Sequence, residues 1–262
     1  MMKRAHPRFE PKWNHVAYRP YLLNPELEGR PPVPKVKHLE QKIGKPLASM
    51  RSVARLKELG RAYGLKYRFE ASDLASGTVD SHRLLCYAAT AGGTEAASTC
   101  RRELMRLYNE EGMAIADKEV LLGAAEKAGL DADVAMAVLE GGAYGLDVRW
   151  LDGQARKQGI TMVPHYRYYT PDGTHAVSDY YEEWHFMDGT YRAFPDGDDS
   201  ASWRAASQSA RAVVEAMDAW KVLQRAERKG EASESEVEEA AGRVADLQAK
   251  HRSSFLPDSD PA

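Results

Sequence analysis

Asp117-Lys118-Glu119-Val120-Leu121, running on to Ala128-Gly129-Leu130-Asp131 and then to Gly159-Ile160-Thr161-Met162-Val163-Pro164, is the stretch whose reading decides the fold. Asp117 caps a helix that reaches Ala128 and stops at Gly129, and Asp131 immediately caps the next, through Leu139. Each acidic cap meets the positive end of its helix dipole. A further helix over 148–158 delivers the chain to Gly159 and a strand that leads into Tyr166-Arg167-Tyr168-Tyr169. A Val-Pro step at the head of a β-rich run reads as a bend or a cis peptide rather than a central ladder position. The order is helix, helix, helix, strand, which gives an α/β chain with a compact helical subdomain, and a site is expected at the Pro164 bend.

Upstream, residues 1–12 are polar, proline-interrupted and aperiodic, and 1–15 read as a flexible terminus. Residues 16–19 alternate apolar with polar and predict a strand closed by Pro20 and Asn24-Pro25. After a proline-rich connection over 29–34, Val36, Leu39 and Ile43 sit at helical spacing until Gly44-Lys45-Pro46. A helix over 50–63 follows, with Val53, Leu56, Leu59 and Ala62 on one face and Gly64 as its cap. Residues 65–69 alternate again and predict a short strand. Residues 76–80 read as a turn. From Val79 the pattern is helical to Gly92-Gly93, and again over 95–109, where Cys100, Leu104, Leu107 and Tyr108 face inward.

Downstream, Pro171-Asp172-Gly173-Thr174 is a turn signal that pairs 163–169 with 175–181 as a hairpin. Residues 187–190 read as a second turn and 191–194 as one more strand. Trp203, Ala206, Ala210, Val213, Met217 and Trp220 mark one long amphipathic helix, and Val237, Ala240, Val244 and Leu247 mark another. Ser233 with Glu236 is a capping box, so 229–233 is the turn of a C-terminal helical hairpin. Residues 253–262 read as a disordered tail.

Composition bounds the function. With 262 residues, 43% of them hydrophobic, the chain suffices for one sizeable domain and an accessory piece. A net charge of -3 supplies no basic field for nucleic acid. No run approaches the roughly 18 apolar residues of a membrane span. The opening residues lack a secretory apolar core, so a cytoplasmic location is expected. Cys86 and Cys100 are the only cysteines, and their spacing fits neither a Cys-x-x-Cys pair nor a zinc ligand set. Both read as small buried apolar residues. His165, His175 and His185 lack the spacing that would converge with Glu182 or Asp179 on a metal, and no metal site is expected.

Several segments taken together carry a resemblance: Arg19-Pro20-Tyr21-Leu22-Leu23-Asn24-Pro25, Ser81-His82-Arg83-Leu84 with Tyr87-Ala88, Ala116-Asp117-Lys118-Glu119-Val120-Leu121, Ala128-Gly129-Leu130-Asp131, and Ala155 with Gly159-Ile160 and Val163-Pro164. In order and spacing these resemble the DsbA-like thioredoxin family, in its FrnE-type branch, related to 2-hydroxychromene-2-carboxylate isomerases and kappa-class glutathione transferases. The resemblance covers about residues 16–180. It implies a thioredoxin-like fold, N-terminally incomplete, over 16–72 and 145–222. An all-helical insertion would fill 73–144, and a C-terminal helix 223–252. It also implies that Pro164 is a cis-proline beside the substrate groove, with Met162 and Val163 free to pair with a peptide or thiol ligand.

The departures bear on activity. The family's exchange enzymes carry a Cys-x-x-Cys at the start of the first helix, and the residues that would supply it are not in this sequence. Thiol exchange needs a thiolate of lowered pKa at a helix N-terminus and a resolving partner. By the family's geometry Cys86 and Cys100 fall inside the insertion, so no catalytic residue is assigned. Met162 also stands where the family has glycine. Three readings follow: a thiol-disulfide oxidoreductase by descent without dithiol activity, a non-catalytic binding or scaffold module, or a glutathione-dependent isomerase or transferase relative. Glutathione is the one cofactor these imply. Tyr166, Tyr168, Tyr169, Tyr180, Tyr181 and Trp184 read as cross-strand pairs or a ligand wall. The two C-terminal helices read as packing back on the domain or as a homodimer surface.

Overall fold

Aspartate caps and left-handed glycines set the helix boundaries in the middle of the chain. The Asp117 side chain accepts from the Glu119 amide and opens α4 (Lys118–Lys127), while Asp131 accepts from the Asp133 and Val134 amides and opens α5 (Ala132–Glu140). Gly129, at φ +72, provides the turn between them that a residue with a Cβ adopts only under strain. A computed structural model describes residues 16–170, 175–178, 185, 188–190, 193, 201–227 and 229–255. They fall into two compact units that change over between Gly159 and Ile160.

In the first unit, α1 (Lys35–Ile43) and α2 (Arg51–Ala62) precede α3 (Val79–Glu110), α4, α5 and α6 (Gly145–Lys157). The two helices expected on either side of Gly92-Gly93 form one element, α3, kinked where Gly93 takes φ +68 and ψ -161. Leu84, Cys100, Leu121, Ala124, Ala125 and Ala135 are fully buried among α3, α4 and α5. A smaller cluster joins Leu22, Val79 and Val148, with Cys86 against it.

Two expected strands are not formed. Residues 16–20 and 65–69 are irregular, because short alternating runs need a partner ladder and side chains or isolated backbone groups take up their bonds instead. The Arg68 amide, for example, donates to the Asn109 carbonyl. The ladder in this unit lies in the proline-rich connection and just before the expected 76–80 turn: β1 (Val33–Pro34) pairs antiparallel with β2 (Leu74–Ala75), Val33 opposite Ala75.

In the second unit, β3 (Tyr166–Tyr169) pairs antiparallel with β4 (His175–Ser178), Tyr166 opposite Ser178 and Tyr169 opposite His175, as the turn signal predicts. The turn and strand expected over 187–194 are corrected: residues 188–190 and 193 are helical. Gly189 marks a close approach rather than a turn, since a Cβ there would lie 2.7 Å from the Tyr168 ring. The unit ends in α7 (Ala201–Glu227) and α8 (Glu234–Phe255), whose seam buries Ala210, Val213, Met217 and Val244. The capping box forms, with Ser233 N donating to Glu236 Oε2 at 2.7 Å and Glu236 N to Ser233 Oγ at 3.3 Å. Residues 253–255, read as tail, continue α8. Residues 1–15, 171–174, 179–184 and 256–262, with Asp179, Tyr180, Tyr181, Glu182 and Trp184 among them, lie outside the described residues. No described helix is long and apolar enough to cross a membrane.

Candidate functional site

Helix α6 ends at Lys157, Gly159 follows at φ +75, and four residues after it the chain passes through a cis Val163-Pro164 peptide into β3. Met162 is 54% exposed and Val163 39%, so two apolar side chains stand in water immediately before a strand. Apolar surface left open in this way is available to an extended ligand. Along β3 Tyr168 is buried while Tyr169 is exposed and Tyr166 half-buried. Beside the bend, Arg167 Nε donates to His165 Nε2 at 3.2 Å. Among the described residues no three His, Cys, Asp or Glu side chains gather as a metal site.

Both cysteines lie on α3, Cys86 half-buried and Cys100 buried, and both are free thiols. The Gly93 kink lies between them, Cys86 packs against the Leu22, Val79 and Val148 cluster while Cys100 belongs to the α3–α4–α5 core, and no disulfide joins them. Neither occupies the first turn of its helix. Burial first, and then the Asp147 carboxylate, pushes the Cys86 thiol up, against the opposing charge of Arg19. Burial, then Glu103, pushes Cys100 to about 12. Both are therefore thiols and not thiolates at neutral pH, the opposite of what disulfide exchange requires.

His82 and Arg83, in the second turn of α3, have structural roles. Burial lowers the His82 pKa against a hydrogen bond with the Tyr21 backbone and the charge of Asp152. Arg83 is buried and closes the C-terminal end of α5. Its Nε donates to the Ala143 carbonyl at 2.7 Å, Nη2 to the carbonyls of Val138 and Gly141, and Nη1 to Asp80 at 2.7 Å.

Three further arrangements had no local signal in the sequence. Asp152 Oδ1 accepts from the Leu22 amide at 2.8 Å while Arg156 Nη2 donates to the Leu22 carbonyl at 2.7 Å, so α6 grips both backbone groups of one residue. Glu28 Oε1 accepts from the amides of Thr78 and Val79 at 2.5 and 3.1 Å and caps α3 from fifty residues away, where Thr78 supplies no side-chain cap. Finally, Lys35 is buried with its Nζ 3.8 Å from the centre of the Tyr108 ring and 3.1 Å from the Tyr108 carbonyl, near the Asp73 carboxylate that pairs with Arg68 Nε at 2.9 Å.

The comparisons with known proteins agree with this architecture. The family model of the DSBA-like thioredoxin domain matches residues 2–179. The solved structure of a probable DsbA oxidoreductase from Streptomyces coelicolor superposes with a TM-score of 0.61 at 24% identity, covering 74% of this chain and 82% of that one. No curated protein matches the chain.

Proposed function

This chain belongs to the DSBA-like thioredoxin domain family, and from that membership we propose a thiol-disulfide oxidoreductase by descent, of FrnE type, that binds a peptide or thiol ligand without dithiol exchange. The observation that carries this reading is the placement of the two cysteines. They sit on either side of the Gly93 kink of α3, in different apolar clusters and not joined as a disulfide, and burial raises the pKa of each. The ligand edge is Met162, Val163 and Pro164, where exposed apolar side chains precede the β3 ladder. A cytoplasmic location belongs to the same reading.

Insulin reduction by the chain with dithiothreitol tests the first half, and calorimetric titration with an extended apolar peptide tests the second. Turnover equal to the uncatalysed background is expected, along with peptide binding that Met162→Asp and Val163→Asp weaken. Robust turnover that Cys86→Ser or Cys100→Ser abolishes overturns the non-catalytic reading. Peptide affinity unchanged by either aspartate removes the edge. Titration with glutathione in the same calorimeter tests the glutathione-dependent alternative, which binding left unchanged by Met162→Asp and Val163→Asp would favour.

A further inference from the structure

Beyond the Gly93 kink of α3, Ser98 and Arg101 meet Tyr18 of the irregular segment before the first helix, and Arg102 follows on the same helix. The Tyr18 hydroxyl lies 3.2 Å from Ser98 Oγ, and the Arg101 guanidinium lies over the Tyr18 ring at 4.7 Å from its centre. Arg102 Nη2 donates to Thr99 Oγ1 at 3.0 Å, which holds that side chain on the same helix. Tyr18 is 38% exposed, so the group faces solvent.

The electrostatics of this spot favour an anion. Burial draws the Tyr18 phenol pKa upward, but the Ser98 hydrogen bond and the charges of Arg101 and Arg102 more than reverse it, and the net shift is downward. Groups that ease a proton off a phenol stabilise negative charge wherever it is placed among them. Among the described residues neither Arg101 nor Arg102 meets a carboxylate, although Arg106, one turn on, is paired with both Glu103 and Glu111. Among the described residues the Arg101 Nε has no hydrogen-bond partner, and the guanidinium lies over the Tyr18 ring. An arginine without an anionic partner keeps its charge-assisted donors for an incoming one.

We propose that Tyr18, Ser98, Arg101 and Arg102 form a binding site for the phosphate group of a small ligand. Guanidinium groups supply planar, charge-assisted donors that match phosphate oxygens, and the two hydroxyls supply further donors that rotate to meet them. The site lies in the first unit and stands independently of the Pro164 edge.

The test is titration of the full chain with inorganic phosphate at constant ionic strength set by chloride, followed by the NMR signals of the Tyr18 ring and its pH titration. Phosphate is expected to shift the ring signals saturably and to raise the Tyr18 pKa. Arg101→Gln and Arg102→Gln are each expected to weaken binding by about tenfold or more, the ratio that follows loss of a charge-assisted hydrogen bond. Should Arg101→Gln fail to fold, Arg102→Gln and the wild-type tyrosine titration decide. A flat response to phosphate, or equal affinity in the folded variants, overturns the proposal. Acetate binding as tightly as phosphate overturns the assignment to phosphate.

Discussion

Arg83 Nε donates to the carbonyl oxygen of Ala143 at 2.7 Å, and with its other nitrogens the same guanidinium closes the end of α5 from the flank of α3. The last carbonyls of a helix have no partner within it, and here one buried cation serves several at once. Arg83→Met strands these carbonyls and Asp80, and a loss of about 2–4 kcal/mol is expected. Urea unfolding followed by far-UV circular dichroism measures it. Arg83→Lys, which reaches fewer carbonyls, should fall between the two.

Glu28 and Gly77 are expected to be coupled. Glu28 caps α3, and its removal by Glu28→Ala should cost about 1–2 kcal/mol, as for other helix N-caps. A Cβ at Gly77 would come within 2.6 Å of Glu28 Oε2, so Gly77→Ala displaces the same carboxylate. In a double-mutant cycle the second substitution therefore costs less than it does alone. Strict additivity of the two thermal shifts would contradict the shared cap.

Lys35 gives a pH dependence of definite sign. Burial lowers its folded pKa from 10.5 to about 8, opposed by Asp73 and reinforced by Arg68. Between those values the unfolded chain holds the proton more firmly, so stability rises with pH from about 8 to about 10.5 and is flat in this contribution below 8. The Asp73 carboxylate, the Arg68 and Lys57 cations and the Tyr108 phenol share the neighbourhood and titrate or persist in both proteins. The difference between wild type and Lys35→Met, taken from urea midpoints across this range, isolates the lysine. A difference independent of pH would remove the assignment.

Thiol labelling should separate the two cysteines. With its pKa near 12, Cys100 is thiolate in about one molecule in ten thousand at pH 8, and it is buried besides. In native protein a chromogenic disulfide reagent is expected to react slowly with Cys86 and not with Cys100 until denaturant is added. Cys86→Ser should abolish the native reaction. Rapid reaction of both thiols in the folded state would contradict the burial of α3.

The parts of this fold that the sequence made legible are those whose cause is local. Asp117, Asp131 and the Ser233–Glu236 box cap the helices next to them, and Pro171-Asp172-Gly173-Thr174 announces the β3–β4 pair. Alternation over 16–19 and 65–69 misled because four or five residues of pattern do not specify a partner. The Gly189 step misled because glycine marks close packing as readily as a turn, and the Tyr168 ring that requires it is twenty-one residues away. For the candidate site, the Val163-Pro164 bend was legible, whereas the roles of Glu28, Asp152, Arg156 and Lys35 were not. Each of these acts on backbone fifty or more residues distant, for which no spacing rule exists.

The hold of Asp152 and Arg156 on Leu22 sets the order in which this polypeptide can assemble. The two anchoring side chains are synthesised 130 and 134 residues after the amide and carbonyl they secure, so closing that contact spans nearly the whole first unit. During translation Leu22 therefore waits for its last two partners, while contacts of shorter span, such as that of Lys42 Nζ with the Leu23 carbonyl, can form first. Docking of α6 on Leu22 is then a late step in that unit, and a ribosome stalled short of codon 152 would carry a helical intermediate in which the Leu22 amide and carbonyl are still unsecured by α6.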